Sequence, residues 1–296
     1  LDFMVSIDFY INETTQHADI ILPPTSALEH DHYDIAFHRL AVHNTARFNE
    51  PVFEPAAGTL HDWEIFNGLG QAIAAHKGID SKPLPSPDKL IDMGIQRGPY
   101  SAAAGHELEL TLDKIKQHPH GLDIGPLAPS LPERLCTADG KITLVADYIT
   151  KDLKRLGADK ATTEADELLL IGRRHIRSNN SWLHNSHRLV KGKPRWQLLM
   201  HPEDLAAHNL QDQGQVRITS RVGEVVTQVL ASDEVMPGVV SLPHGWGHKR
   251  AGVSMAIASE QEGVSCNDLT DDQLIDQVSG NAALNGVPVK IFAVPS

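Results

Sequence analysis

The chain has 296 residues, 41% of them hydrophobic, enough for two packed domains and too few for a large multidomain redox enzyme. Its 26 lysines and arginines stand against 38 aspartates and glutamates, a formal net charge of -12. That balance excludes general nucleic-acid binding, which needs a basic footprint to neutralise phosphates, so any anion site must be local.

Residues 5–9 alternate like a strand, Asn12 can cap a short helix running to His17, and Ile20-Ile21-Leu22 reads as a buried strand stopped by Pro23-Pro24. Strand, helix and strand at this spacing predict a parallel α/β edge. Residues 26–58 are loop-like and rich in His, Asp and Glu. A helix follows, with Asp62 as its cap and Phe66, Leu69 and Ile73 on its apolar face. Pro83, Pro85 and Pro87 make 77–98 a connecting loop. Leu108, Leu112 and Ile115 mark a second amphipathic helix, 118–132 is again rich in proline and glycine, 141–145 reads as a strand and 152–156 as helical. A domain boundary is expected near residue 160, in the polar linker 159–166. Beyond it come short strands at 168–171, 197–200, 216–219, 225–230, 239–242 and 289–294, the pattern of a barrel. Pro202 opens a short helix with Glu203 and Asp204 in its first turn, and Asn285-Gly286 supplies a turn before the last strand. The fold class expected is thus an α/β part over 1–160, an incomplete parallel-sheet domain, followed by a β-rich barrel over 161–296.

No run reaches the length of an apolar membrane span, and Leu1-Asp2-Phe3-Met4 has neither an initiator methionine in first place nor the order of a signal peptide. The chain is therefore expected to begin inside a longer protein. Cys136 and Cys266 are the only cysteines and form no CxxC spacing, so they alone build neither a thiolate metal site nor an iron–sulfur cluster. A reducing compartment fits, and the cytoplasm is expected, with the periplasm as the alternative.

Between residues 168 and 202 there is no acidic residue, yet Arg173, Arg174, Arg177, Arg188, Lys191, Lys193 and Arg195 all fall there, interleaved with His175, His184, His187 and His201. Within this stretch Ser178-Asn179-Asn180-Ser181-Trp182-Leu183-His184-Asn185 is dense in neutral donors and acceptors, suited to a heteroaromatic ring and phosphate oxygens. The plain alternative is a solvated basic loop; placement directly after a buried strand favours a site. Pro243-His244-Gly245-Trp246-Gly247-His248 follows another strand, and its glycines allow either close approach to a ligand or an ordinary turn. Thr270 and Gln273 have capping-box spacing, which favours a helix cap there. Glu29-His30-Asp31-His32, with His38 and His43, invites a metal reading. On a strand, however, His30 and His32 would share a face while Glu29 and Asp31 pointed away, so a surface loop is favoured. There is no P-loop, no GxGxxG after a strand and no GxSxG elbow.

The run Thr14-Thr15-Gln16-His17-Ala18-Asp19-Ile20-Ile21-Leu22-Pro23, followed by Leu28-Glu29, resembles the TETAxxADIVLP segment of bacterial molybdopterin oxidoreductases of the dimethyl sulfoxide reductase superfamily. Glu13 precedes Thr14, and Thr15 stands where the pattern has alanine. The second half is similar to that family's molybdopterin dinucleotide-binding domain, a double-psi β-barrel. The matching landmarks are Gly172-Arg173, Ser178-Asn179-Asn180-Ser181-Trp182, His184-Asn185, Ser220-Arg221-Val222-Gly223, Asn267-Asp268-Leu269-Thr270 and Gly286-Val287-Pro288. The resemblance covers most of 5–75 and nearly all of 166–296, while 80–160 adds little.

The resemblance implies a molybdenum or tungsten ion held by two pterin guanine dinucleotides. It makes Gly172, Arg173, Ser181, Trp182, His184, Asn185, His244 and Asn267 the cradle residues, touching pterin, pyrophosphate or guanine. It places the protein ligand to the metal, and any iron–sulfur cysteines, upstream, so this chain supplies neither a catalytic residue nor a metal ligand. It implies as partners the missing N-terminal domains of the same enzyme and electron-transfer subunits. Two-electron redox chemistry is expected of the intact enzyme and no activity of this chain alone. Two rival readings are a non-catalytic double-psi barrel binding module and a redox-complex subunit without cofactor. The acid-free basic segment with Asn267 speaks against the first, and His184, Asn185 and Asn267 against the second.

Overall fold

A computed structural model describes residues 1–158 and 166–295. Their contacts form two units, one of Leu1–Phe9 with Ala18–Ile142, the other of Tyr10–His17 with the chain from Thr143 onward. The division thus falls ahead of the boundary read near residue 160. The expected strand at 141–145 does not form, and Leu144 is 90% exposed with Ile142 and Val145 also open, so no strand pairing ties this stretch to the first unit. The helix after it, 147–158, goes with the second. Of the expected linker 159–166, all but Asp166 lies outside the described residues; Asp166 pairs with Lys290 at 3.2 Å.

In the first unit β1 (Val5–Ile7) and β2 (Ile20–Leu22) pair in parallel, Val5 opposite Ile20. Within the His-rich loop the chain makes β3 (His32–Tyr33), β4 (Thr45–Ala46) and β5 (Phe48–Asn49); β3 pairs with β5, and β4 with β6 (Leu122–Asp123). The helix α1 (Asp62–His76) is capped one residue earlier than expected, by His61, whose N–H donates to the Glu64 carboxylate at 2.9 Å in a capping box. Its buried residue is Ile65, while Phe66 and Ile73 face solvent. A second helix, α2 (Pro87–Ile95), stands where a proline loop was expected. Pro87 occupies its first turn, where the missing N–H would have had no partner anyway. Thr111 caps α3 (Leu112–Lys116), leaving Leu108 outside it. Phe48, Leu110, Leu112 and Ile115 form this unit's core.

The Glu-His-Asp-His run is absorbed locally. His30 Nε2 and His61 Nδ1 each lie 2.7 Å from Thr25 Oγ1, and the Glu29 carboxylate accepts from the Ser26 N–H at 2.7 Å. Among the described residues no three His, Cys, Asp or Glu side chains gather as metal ligands.

The second unit contains α4 (Asp147–Ala158) and closes a six-stranded barrel. Its strands are β7 (Leu168–Arg173), β8 (Leu198–Met200), β9 (Gln215–Thr219), β10 (Glu224–Ala231), β11 (Val239–Pro243) and β12 (Val287–Ala293). The order around the barrel is β10-β8-β11-β7-β12-β9. Two pairs, β7 with β11 and β8 with β10, are parallel and the rest antiparallel. These interleaved crossovers are the double-psi arrangement. Period-two alternation fills the interior: in β9, Val216 and Ile218 are buried while Gln215 and Arg217 face water. Leu170, Leu198, Met200, Val229, Val240 and Leu242 are fully buried, each stabilising the fold by roughly 1.5–3 kcal/mol. Closure leaves no free sheet edge. Two short helices, α5 (His187–Val190) and α6 (Pro202–Ala207), join these strands, and His201 Nδ1 accepts from the Glu203 N–H at the start of α6.

No helix among the described residues is long and apolar enough to cross a membrane. Thr270 caps no helix. Its hydroxyl donates to the Asn267 carbonyl at 3.0 Å, and the Gln273 N–H is taken instead by Asp271 at 2.8 Å.

Candidate functional site

The register of β11 on β7 sets Pro243 beside Arg173, so the loops after these two parallel strands leave the barrel side by side. Crevices at the carboxyl ends of parallel strands are where open sites gather, because side chains and backbone N–H groups from two loops can converge there.

Arg173 turns its guanidinium back across the barrel. Nη1 donates to the Ser241 carbonyl at 2.9 Å and to its hydroxyl at 3.3 Å; Nη2 donates to the carbonyls of Gln197 at 2.9 Å and Arg195 at 3.4 Å. Burial holds its pKa below the usual arginine range. The side chain thus staples β7 to β11 and to the approach to β8. Gly172 donates its N–H to Asn285 Oδ1 at 2.8 Å, so the expected Asn285-Gly286 turn also clamps the end of β7.

The next side chains face outward. Asn180 Oδ1 accepts from Arg174 Nη1 at 2.9 Å and lies 3.1 Å from His244 Nε2, joining the two loops. Asn179 and Asn180 sit at φ 42° and 62°, a left-handed conformation that asparagine tolerates. Gly245, at φ 85°, brings its backbone so close that a Cβ there would lie 2.2 Å from the Asn180 carbonyl oxygen. No other residue fits without moving the loop. Ser181 is half-buried beside Trp182, which is 79% exposed. Burial, and secondarily Arg174, lowers the His244 pKa, so this ring is neutral and its Nε2–H donates to Asn180.

Beneath the rim runs a buried hydrogen-bonded chain. Ser178 Oγ lies 2.9 Å from His184 Nε2, His184 Nδ1 lies 3.0 Å from His248 Nε2, and His248 Nδ1 lies 2.8 Å from Glu13 Oε1. The His184 ring rests on Trp246 with centroids 4.1 Å apart. Burial first, and His248 second, push its pKa down to about 4, so it is neutral at pH 7. Asn185 Oδ1 accepts from the N–H groups of Ile257 and Ala258 at 2.9 and 3.1 Å. Both side chains therefore serve the interior. Asn267 is exposed on the short 3-10 helix Cys266–Asp268.

Among the described residues, none of the seven cations from Arg173 to Arg195 forms an ion pair with a carboxylate. Several converge: the His175 pKa is lowered by burial and then by Arg195, Arg177 and Arg173. Two buried donors, Arg195 Nε and the Trp246 indole N–H, have no acceptor. Donors and positive charge without matching acceptors fit an acceptor-rich anionic ligand. Arg174 and Asn180 were legible only as members of the basic and polar runs. The contact of Glu13 with His248, 235 positions apart, has no local signature at all.

Residues 168–288 match the family model of the molydopterin dinucleotide binding domain. The chain is 25% identical over 290 residues to the probable oxidoreductase YoaE of Bacillus subtilis (strain 168), covering 96% of this chain and 39% of the relative. To the dimethyl sulfoxide/trimethylamine N-oxide reductase of Rhodobacter capsulatus it is 23% identical over 279 residues, covering 83% of this chain and 32% of the relative. Acetylene hydratase from Pelobacter acetylenicus shares the fold, with a TM-score of 0.67 at 18% identity over 99% of this chain and 40% of that one. The chain thus spans about two fifths of these proteins' length or less.

Proposed function

We propose, for a chain that corresponds to the C-terminal part of a dimethyl sulfoxide reductase-family molybdopterin enzyme and carries its dinucleotide-binding domain over residues 168–288, that the barrel mouth grips the pyrophosphate and nucleotide of a pterin guanine dinucleotide. The observation that carries this reading is the group of cations without carboxylate partners, among the described residues, in the segment after β7, where it meets the loop after its parallel neighbour β11. Arg174, Asn180, Ser181, Trp182 and His244 are the side chains placed to meet the ligand, with the backbone of Gly172 and Gly245 beside them and Asn267 as a further contact. Arg173, His184 and Asn185 hold these groups in place from behind. When bound, the cofactor's molybdenum or tungsten ion supplies two-electron oxidation or reduction. A protein ligand to that ion, any iron–sulfur cluster and the electron-transfer partners belong to other parts of the enzyme, and this chain by itself turns over no substrate. The free thiols of Cys136 and Cys266 fit a reducing compartment, and the proposed location is the cytoplasm.

Calorimetric titration with GDP tests the grip without the metal. Arg174→Ala removes a charge-assisted donor worth roughly 1–3 kcal/mol, so affinity should fall about 5- to 150-fold. Lys191→Ala and Lys193→Ala, exposed beside Gly192, should change it little. Affinity should also weaken as salt is raised. Equal affinities in all three variants, or no GDP binding by the unaltered chain, would leave the segment an ordinary basic surface.

A further inference from the structure

The buried chain from Ser178 ends on the Glu13 carboxylate. A carboxylate only accepts, so His248 Nδ1 must carry the hydrogen that faces Glu13 Oε1. His248 Nε2 then faces His184 Nδ1, and with the His184 ring neutral the chain runs in one sense when His184 Nδ1–H donates to His248 Nε2. His184 Nε2 is bare in turn and accepts from the Ser178 hydroxyl. A reversed chain would need a donor where Glu13 Oε1 stands.

Ser178, His184 and His248 are each buried, so water cannot repair a mismatched donor or acceptor. Glu13 is itself held in place. The Ser254 N–H donates to the Ile11 carbonyl at 2.8 Å, and Gly252 approaches so closely that a Cβ would lie 2.3 Å from Gln16 Oε1. Gln16 Nε2 donates to the Glu13 carbonyl at 3.1 Å.

We propose that Glu13 is a positioning residue for the dinucleotide site. Its carboxylate, acting through His248 and His184, orders the hydrogens of a chain ending on Ser178 and so fixes the segment 178–185 that presents Asn180, Ser181 and Trp182. The second half of this statement rests on the dinucleotide reading; the first does not.

Two-bond nitrogen–proton correlation spectra of the histidine-labelled chain distinguish the two tautomers, and His184→Gln and His248→Gln assign the signals. Both rings should carry their hydrogen on Nδ1 in the unaltered chain. Glu13→Ala should convert His184 to the Nε2–H form or a mixture and weaken GDP binding about tenfold. Glu13→Gln keeps the size and a hydrogen bond but can donate or accept, so it should give mixed tautomers and an intermediate affinity, and it remains informative if the alanine variant does not fold. An Nε2–H His184 in the unaltered chain, or an unchanged Nδ1–H signal in both variants, would overturn the ordering role. Altered tautomers with unchanged GDP affinity would overturn the positioning role. If the unaltered chain binds no GDP, the dinucleotide reading fails while the tautomers still decide the ordering.

Discussion

Replacing Arg173 with alanine separates a residue that builds the site from one that touches the ligand. The side chain makes two well-formed bonds at 2.9 Å, to the carbonyls of Ser241 and Gln197, and longer ones to Arg195 and the Ser241 hydroxyl. Ser241 is buried, so its carbonyl would lose its charged donor with little water to replace it. Hydrogen bonds to a charged group contribute roughly 1.5–3 kcal/mol each, and partial access of water to Gln197 reduces the sum, so a loss of about 2–4 kcal/mol is expected. With a urea slope near 2 kcal/mol/M, the unfolding midpoint should drop by about 1–2 M. Arg173→Lys, which keeps the charge but not the fork, should fall between. GDP affinity of the folded Arg173→Ala protein should change less than that of Arg174→Ala. An unchanged midpoint together with lost GDP affinity would mean that the guanidinium faces the ligand and not the barrel.

His184 has a folded pKa near 4 against an ordinary 6.5, so the folded state binds fewer protons than the unfolded. Its stabilising contribution is complete above pH 6.5 and disappears as pH falls toward 4, by about 3 kcal/mol in all; urea titrations across that window should show the slope, and His184→Gln should remove it. Gly245→Ala would drive a Cβ into the Asn180 carbonyl at a φ of 85°. It should therefore lower the melting temperature and weaken GDP binding more than Gly280→Ala, whose Cβ meets nothing within 4 Å at a comparable φ of 72°; equal effects would mean that the loop crossing is slack.

Strands such as β9 and β10 were legible because they alternate inward and outward residues, and Val216 and Ile218 point inside for the same reason in sequence and structure. Elements governed by termini were harder to read. Pro87 looks like a breaker, yet it opens α2 because a helix's first N–H needs no partner. The strand expected at 141–145 has the right residues but nothing to pair with, and apolar runs form strands only where a neighbour completes the ladder. At the proposed site, the basic run and the polar residues 178–185 are visible on composition alone. The division of labour within them is not local information. Whether Arg173 or Arg174 faces outward depends on the β7–β11 register, and the role of His184 depends on Glu13, far away in the chain.

Whether the barrel mouth holds the dinucleotide is decided by titrating the nitrogen-15-labelled chain with GDP and following backbone amide shifts. The largest changes are expected at residues 172–174, 180–182 and 244–245, at and after the ends of β7 and β11. Shifts confined to the polar pocket lined by His32, Asp34, His38 and Arg47 in the first unit, or no shifts at all, would contradict it.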